Sequence, residues 1–295
     1  MAMITSPTNQ HIALLRSLHT PKGRAAEGLF LIEGPHTLTA ALDAQVTPRL
    51  LIYDPATVER TVEGRRLLER VADARSAGCE VYEATASAIE RACDTRTPQG
   101  IVGAAALEDV AAERTRARRR GRARPVLLAL DALADPGNMG TILRSALAAD
   151  ADEALLGPAC ADPYAPKVVR AGAGAHFRLP IRAGLTWDEI AQRFSGAPAV
   201  HEVLVAEASG QTPYDEVDLA RRVGLIIGNE AHGVSREAAR LATTRVSIPM
   251  WNKVESLNAG IAASVILFEA ARQRRASSRG SARHPVADDT TDSSI

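Results

Sequence analysis

The chain has 295 residues, enough for two domains of ordinary size, and its 46% hydrophobic and 24% charged content is that of a globular protein. Formal net charge is zero, so no bulk field advertises a nucleic-acid partner, and any basic surface has to be a local patch. No apolar run reaches the ~18 residues of a membrane span. The amino terminus lacks a charged-then-apolar signal, and Cys79, Cys93 and Cys160 have no metal-ligand spacing. The expectation is a cytoplasmic chain with no membrane partner and no metal.

In chain order, periodicity predicts a first helix over His11 to Leu18 and then alternating strands and helices. The strands are Leu29 to Ile32, Arg49 to Tyr53, Glu80 to Tyr82 and Ile101 to Ala105; the helices are Thr37 to Ala44, Val58 to Ala77 and Ala86 to Ala92. That alternation predicts a small α/β domain over 1–107. Residues 108–125 break it, with seven arginines between Arg114 and Arg124, and read as a solvated linker that also suits RNA phosphate. The βα alternation resumes over 126–275, and 276–295 has the composition of a disordered tail.

Three segments of the second domain repeat one pattern: an apolar run, a polar Gly-rich loop, then a helix or turn. They are VLLALDALADPGNMGTILRSALAAD (126–150), VGLIIGNEAHGVS (223–235) and VSIPMWNKVESLNAGIAASVILFEA (246–270). In an open α/β sheet such loops lie at the carboxyl ends of the strands, where ligands bind. In the last helix Ile261, Val265 and Phe268 recur at helical spacing, which predicts its core face, while Ala262, Ile266 and Leu267 widen the stripe sideways. A stripe that wide calls for a second partner. Gly172 and Gly174 hint at a dinucleotide fingerprint, but Phe177 stands where the third glycine belongs.

The three segments resemble the three motifs of the SpoU (TrmH-like) family of RNA ribose 2′-O-methyltransferases, in the SPOUT superfamily. Val254-Glu255-Ser256-Leu257-Asn258 is the most specific part of the likeness. A weaker likeness, over Ile4-Thr5-Ser6 with Asn9, Gly23-Arg24, Leu29 to Gly34 and Thr97 to Gly100, links the first domain to the family's amino-terminal RNA-binding domain, itself similar to a ribosomal-protein fold. The resemblance implies an α/β chain whose carboxy-terminal parallel sheet carries a deep trefoil knot, a homodimer through that domain, and methyl transfer from S-adenosylmethionine to a ribose 2′-hydroxyl. The extra domain favours ribosomal over transfer RNA, because minimal transfer-RNA members often lack it. Two rivals stand beside this: an enzyme of the same family acting on transfer RNA or conferring ribosome-targeted antibiotic resistance, and an RNA-binding assembly factor without turnover.

Carried over position by position, Arg144 matches the arginine essential to chemistry, acting as a base or as a clamp on phosphate and alkoxide. Asn138 and Glu230 match residues that shape the site, and Ser256 and Asn258 match those beside donor and target ribose. Backbone atoms of Gly228, Ile248 and Leu257 match the positions that hold S-adenosylmethionine. Simpler roles are open too: Asn138, Ser256 and Asn258 as helix caps, Glu230 as a first-turn acid. The chain departs from the family pattern at Ala231-His232, at Trp251-Asn252-Lys253 where a glycine-containing turn is common, and at Gly172, a position often held by serine.

Overall fold

A computed structural model describes residues 3–110, 126–196, 199–252 and 254–281. The amino-terminal part runs α1 (Gln10–Ser17), α2 (Pro21–Glu27), β1 (Leu29–Glu33), α3 (Pro35–Asp43), β2 (Leu50–Tyr53), α4 (Pro55–Val58), α5 (Val62–Ser76), β3 (Glu80–Glu83), α6 (Ala86–Ala92) and β4 (Ile101–Ala106). Its four strands stand in the order β1-β4-β2-β3. Alternate side chains serve opposite faces. Phe30, Ile32 and Leu51 pack with Leu38, Leu67 and Val71 from α3 and α5, whereas Leu31, Leu50 and Ile52 pack with Ile12, Leu15 and Ile89 from α1 and α6.

The expected helix Val58 to Ala77 is two helices. Thr61 caps α5 by accepting from the Gly64 amide at 3.0 Å, and a β-carbon on Gly64 would stand 1.9 Å from the Val58 carbonyl oxygen, so α4 and α5 meet at a corner only glycine allows. Helix α2, seven residues long, is too short to show in the periodicity; its signals are local, Thr20 as cap and Pro21 in the first turn.

The second part runs β5 (Val126–Leu130), α7 (Pro136–Ala148), β6 (Glu153–Leu156), α8 (Pro166–Gly172), β7 (Ile181–Arg182), α9 (Trp187–Ser195), β8 (Glu202–Ala206), β9 (Thr212–Pro213), β10 (Val223–Ile227), α10 (Arg236–Leu241), β11 (Thr244–Ser247) and α11 (Ala259–Ser281). Its sheet has the order β7-β6-β5-β10-β8-β11-β9, with every pairing parallel. Both faces are covered, as an all-parallel sheet requires. Leu128, Leu130 and Leu225 lie under α7 and α11, and Leu127, Val205 and Ile226 under α9 and α10. The register places Leu130, Ile227, Ala206 and Val246 in one row across β5, β10, β8 and β11. The loops that follow these four strands therefore emerge side by side.

The expected core face of the last helix is corrected. Ile261 and Phe268 are 52% and 47% exposed, and the buried side of α11 is Ala259, Ala263, Ile266, Leu267 and Ala270. Small residues meet α7 because it runs close: Ser145 and Ser264 share a hydrogen bond of 2.7 Å, and a β-carbon on Gly260 would come within 3.3 Å of Thr141. Helix α11 also continues to Ser281, past the boundary expected at Arg275. The arginine-rich stretch 111–125 and residues 282–295 lie outside the described residues.

The two sheets are joined through α8 and the segments beside it. Arg170 bonds the buried Glu33 carboxylate at 3.1 Å and Asp94 at 2.8 Å, and the buried Arg24 reaches Asp162 through Nε at 3.0 Å. Phe30 meets Tyr164 and Phe177 with ring centroids 5.1 and 6.0 Å apart. No helix among the described residues is long and apolar enough to cross a membrane. Burial pushes the Cys79 thiol up to about 12 and raises Cys93 and Cys160 too, so none of them is poised as a nucleophile.

Candidate active site

The ends of β8, β10 and β11 and the loop before α11 converge on one cleft of about 260 Å³. Gly228, Asn229 and Glu230 come from the β10 loop, Ile248 and Met250 from the end of β11, Ser256 and Leu257 from the loop before α11, and Ala206 to Ala208 from the end of β8. Small residues (Ala206, Ala208, Gly228, Ala259, Ala262) leave main-chain groups accessible, and Ile248, Met250 and Leu257 add apolar surface.

Beside the cleft one chain of hydrogen bonds ties the three motifs together. Asn138 Nδ2 donates to the Glu230 carboxylate, Asn258 Nδ2 donates to Asn138 Oδ1 at 2.8 Å, and Asn258 Oδ1 accepts from the Gly260 amide at 2.9 Å. An ionised Glu230 only accepts, so it fixes the Asn138 amide with nitrogen toward itself and oxygen toward Asn258. Asn258 spends its own oxygen on the start of α11. The capping role weighed for Asn258 is therefore real and is compatible with a site role. Asn138 is not the cap of α7: Asp135 is, accepting from the Asn138 amide at 2.7 Å.

The β10 loop is built to hold Glu230 in place. Asn229 Nδ2 donates to the Ala132 carbonyl at 2.9 Å, and its Oδ1 accepts from the Ala231 and His232 amides at 2.9 and 3.2 Å. The backbones of Asn229 and Gly233 close the turn with two bonds of 2.9 Å. His232 is exposed, its Nδ1 3.3 Å from Asn229 Oδ1. Where the family pattern has serine, a β-carbon on Gly172 would fall 2.6 Å from Cε1 of the fully buried His176, which fills that space.

Of the residues expected at the site, Gly228, Glu230, Ile248, Ser256 and Leu257 line the cleft, and Asn138 and Asn258 join it through their bonds. Arg144 does not line it. It lies six residues beyond Asn138 on α7, about 9 Å along the axis, exposed, with no hydrogen bond or ion pair to any described residue. Its neighbours on the helix are Gly140, which abuts α8, and Thr141, which abuts α11. The end of β8 was missed in the sequence. Its signal is a fourth apolar run ending in a Gly-containing loop, Glu202 to Gly210, where a β-carbon on Gly210 would strike the Val246 backbone at 2.5 Å.

The SpoU rRNA Methylase family model matches residues 125–268, and the model of the MRM3-like substrate binding domain matches residues 9–103. The 23S rRNA (guanosine(2553)-2′-O)-methyltransferase RlmP of Bacillus subtilis is 29% identical over 91% of this chain and 98% of its own length. The mitochondrial rRNA methyltransferase 3A of Danio rerio is 32% identical over 85% of this chain, which spans 65% of that longer protein. Among solved structures, the AdoMet-bound rRNA methyltransferase from Sinorhizobium meliloti superposes with a TM-score of 0.76 and 31% identity, covering 92% of this chain and 97% of that one. A small-residue cleft with free main-chain groups fits such a donor, and the chain belongs to the SpoU rRNA methylase family, whose methyl donor is S-adenosylmethionine.

Proposed function

We propose that this chain transfers a methyl group from S-adenosylmethionine to a ribose 2′-hydroxyl of ribosomal RNA. Residues 1–107 bind the RNA and residues 126–275 carry out the chemistry. The observation that carries this is the Glu230–Asn138–Asn258 chain of bonds beside the cleft, which joins all three motifs at the carboxyl edge of the sheet. S-adenosylmethionine supplies an electrophilic methyl group when bound. Gly228, Ile248 and Leu257 hold it by main-chain atoms, and Ser256 and Asn258 orient the target ribose. The largest contribution is placement of the hydroxyl in line with the methyl, worth up to roughly 7–11 kcal/mol. Arg144 clamps the adjoining phosphate and stabilises the forming alkoxide, and the 2′-hydroxyl proton passes to solvent water as the donor's sulfur–methyl bond gives way to the oxygen–methyl bond. Labelled donor and unmodified ribosomal RNA test this: label is expected on ribose, and label on a base or on transfer RNA alone overturns it.

The working unit is a homodimer through the carboxy-terminal domain. Ile261 and Phe268 expose an apolar stripe on α11, and α11 packs along α7, the helix that bears Arg144. A two-fold contact on this face sets Arg144 beside the partner's cleft, which accounts for its standing off its own. Phe268→Glu, combined with Ile261→Glu, is expected to convert the protein to a monomer in sedimentation and to remove turnover while the fold persists. An unchanged dimer, or a fully active monomer, contradicts it. The trefoil knot implied by the family likeness belongs to the same proposal, supported by β10 lying between β5 and β8 with the loops after β10 and β11 meeting at one cleft. So does a cytoplasmic location, supported by three free cysteines.

A further inference from the structure

A cavity of about 720 Å³ in the amino-terminal part lies between the first turns of α3 and the α4–α5 corner, far in sequence from the donor cleft. Its floor is apolar, with buried Val58 and Leu67. Its rim is rich in donors: Arg60, Arg66, Arg70, His36 and Gln99. Two of these arginines have no carboxylate partner among the described residues. Arg60 bonds only the Ala56 carbonyl, at 3.2 Å, and Arg66 has no hydrogen bond or ion pair to any described residue. Arg70, by contrast, is paired with Asp43 at 2.7 Å, and Glu63 is the one carboxylate among the lining residues.

The cleft is shaped by glycines rather than left over by loose packing. Gly34 and Gly100 both hold positive φ, 86° and 80°. A β-carbon on Gly34 would stand 2.7 Å from Gln99 Oε1, and one on Gly100 would stand 2.8 Å from Thr57. The two left-handed turns therefore press the loop before β4 against α3 and α4 and hold Gln99 at the rim.

Two free guanidiniums beside an apolar floor ask for a ligand that is anionic at one end and flat and apolar at the other. The volume lies within the roughly 300–1,000 Å³ of small-molecule sites, which is room for a nucleotide but not for a duplex. We propose, resting on the assignment of RNA as substrate, that this cleft takes an unpaired nucleotide of that RNA. Its phosphate lies on Arg60 and Arg66, its base lies over Val58 and Leu67, and Gln99 meets the base edge. Single-stranded segments are the part of RNA whose bases are free to be splayed out and read on their edges. The substrate is then a loop or bulge, and recognition happens at two places at once, the target ribose in one domain and an unpaired neighbour in the other.

Binding is measured by fluorescence anisotropy, without donor, using an RNA hairpin with a single-stranded loop and a fully paired duplex of the same composition. Arg60→Ala with Arg66→Ala is expected to weaken loop RNA by about tenfold at 0.15 M salt. The slope of log affinity against log salt should fall by about 0.7, the release from one single-strand phosphate. Duplex binding is expected to change much less, and Glu63→Gln is expected to tighten the loop RNA. Unchanged affinity and slope, or equal losses on loop and duplex, overturn the proposal. If the parent protein binds loop RNA with this salt slope but methylates nothing, the assignment of the donor cleft fails while the nucleotide cleft stands.

Discussion

Arg144→Ala is expected to lower the rate of methyl transfer by at least about 10²–10³-fold, the scale on which removal of one charge-stabilising donor is felt. The melting temperature should move by no more than a few degrees, since an exposed position away from packing is worth about ±0.5 kcal/mol. Helix α7 does not need the side chain: Ile142, Leu143 and Ala146 are buried and anchor it, while Arg144 is exposed with no partner among the described residues. A cationic group held in solvent without a carboxylate is available to a phosphate. As a clamp it works through its positive charge and gives up no proton in the step. Single-turnover rates of the parent and of Arg144→Lys are therefore expected to share one pH profile, with lysine restoring part of the rate as a point charge without the bidentate fork. A rate that climbs steeply with pH in the parent and not in the lysine variant would establish the literal base. Near-normal turnover in the alanine variant would remove Arg144 from the site altogether.

Gly228→Ala should cost most of the donor affinity. The added β-carbon would lie 2.5 Å from both the carbonyl carbon and oxygen of Gly233 and 2.8 Å from Val234 Cγ1, so two of its three nearest neighbours are backbone and cannot swing aside. To make room, the turn from Asn229 to Gly233 must open, although it is closed by two backbone bonds of 2.9 Å and pinned to Ala132 through the Asn229 side chain at 2.9 Å. Such overpacking costs about 1–3 kcal/mol. Charged to donor binding, that is a weakening of roughly 5- to 150-fold in a calorimetric titration. Glu230 rides on the same turn, so Asn138 loses the acceptor that fixes its amide, and turnover at saturating donor should fall as well. Unaltered donor affinity would place the donor elsewhere than this cleft.

Much of this was legible in the chain. Asp135-Pro136-Gly137, Gly228-Asn229-Glu230 and Ser256-Leu257-Asn258 each follow a short apolar run, and the structure sets all three at one sheet edge. A parallel strand can be followed only by a loop at its carboxyl end, so the sequence of elements by itself decides on which edge the loops fall. The caps Thr61 and Asp135 and the glycine corner at Gly64 are local chemistry too, but periodicity misses them: it runs one helix over Val58 to Ala77, and Asn138 is the cap expected.

What the chain order does not contain is adjacency. Strand β10 enters between β5 and β8, and only that insertion brings Glu230 to Asn138 and aligns Leu130, Ile227 and Ala206 in one row. The end of β8 joins the cleft for the same reason, although its own segment carries no conspicuous polar motif. Helical spacing grouped Ile261, Val265 and Phe268 on one side of α11, yet Ile261 and Phe268 are exposed and Val265 is only half-buried, and the core took the alanines together with Ile266 and Leu267. Periodicity reports which side chains share a face. Which face turns inward depends on how close the neighbouring helix comes, and here the close approach of α7 at Thr141 and Ser145 calls for small residues on the side of α11 that meets it, while Ile266 and Leu267 fill the core beside them.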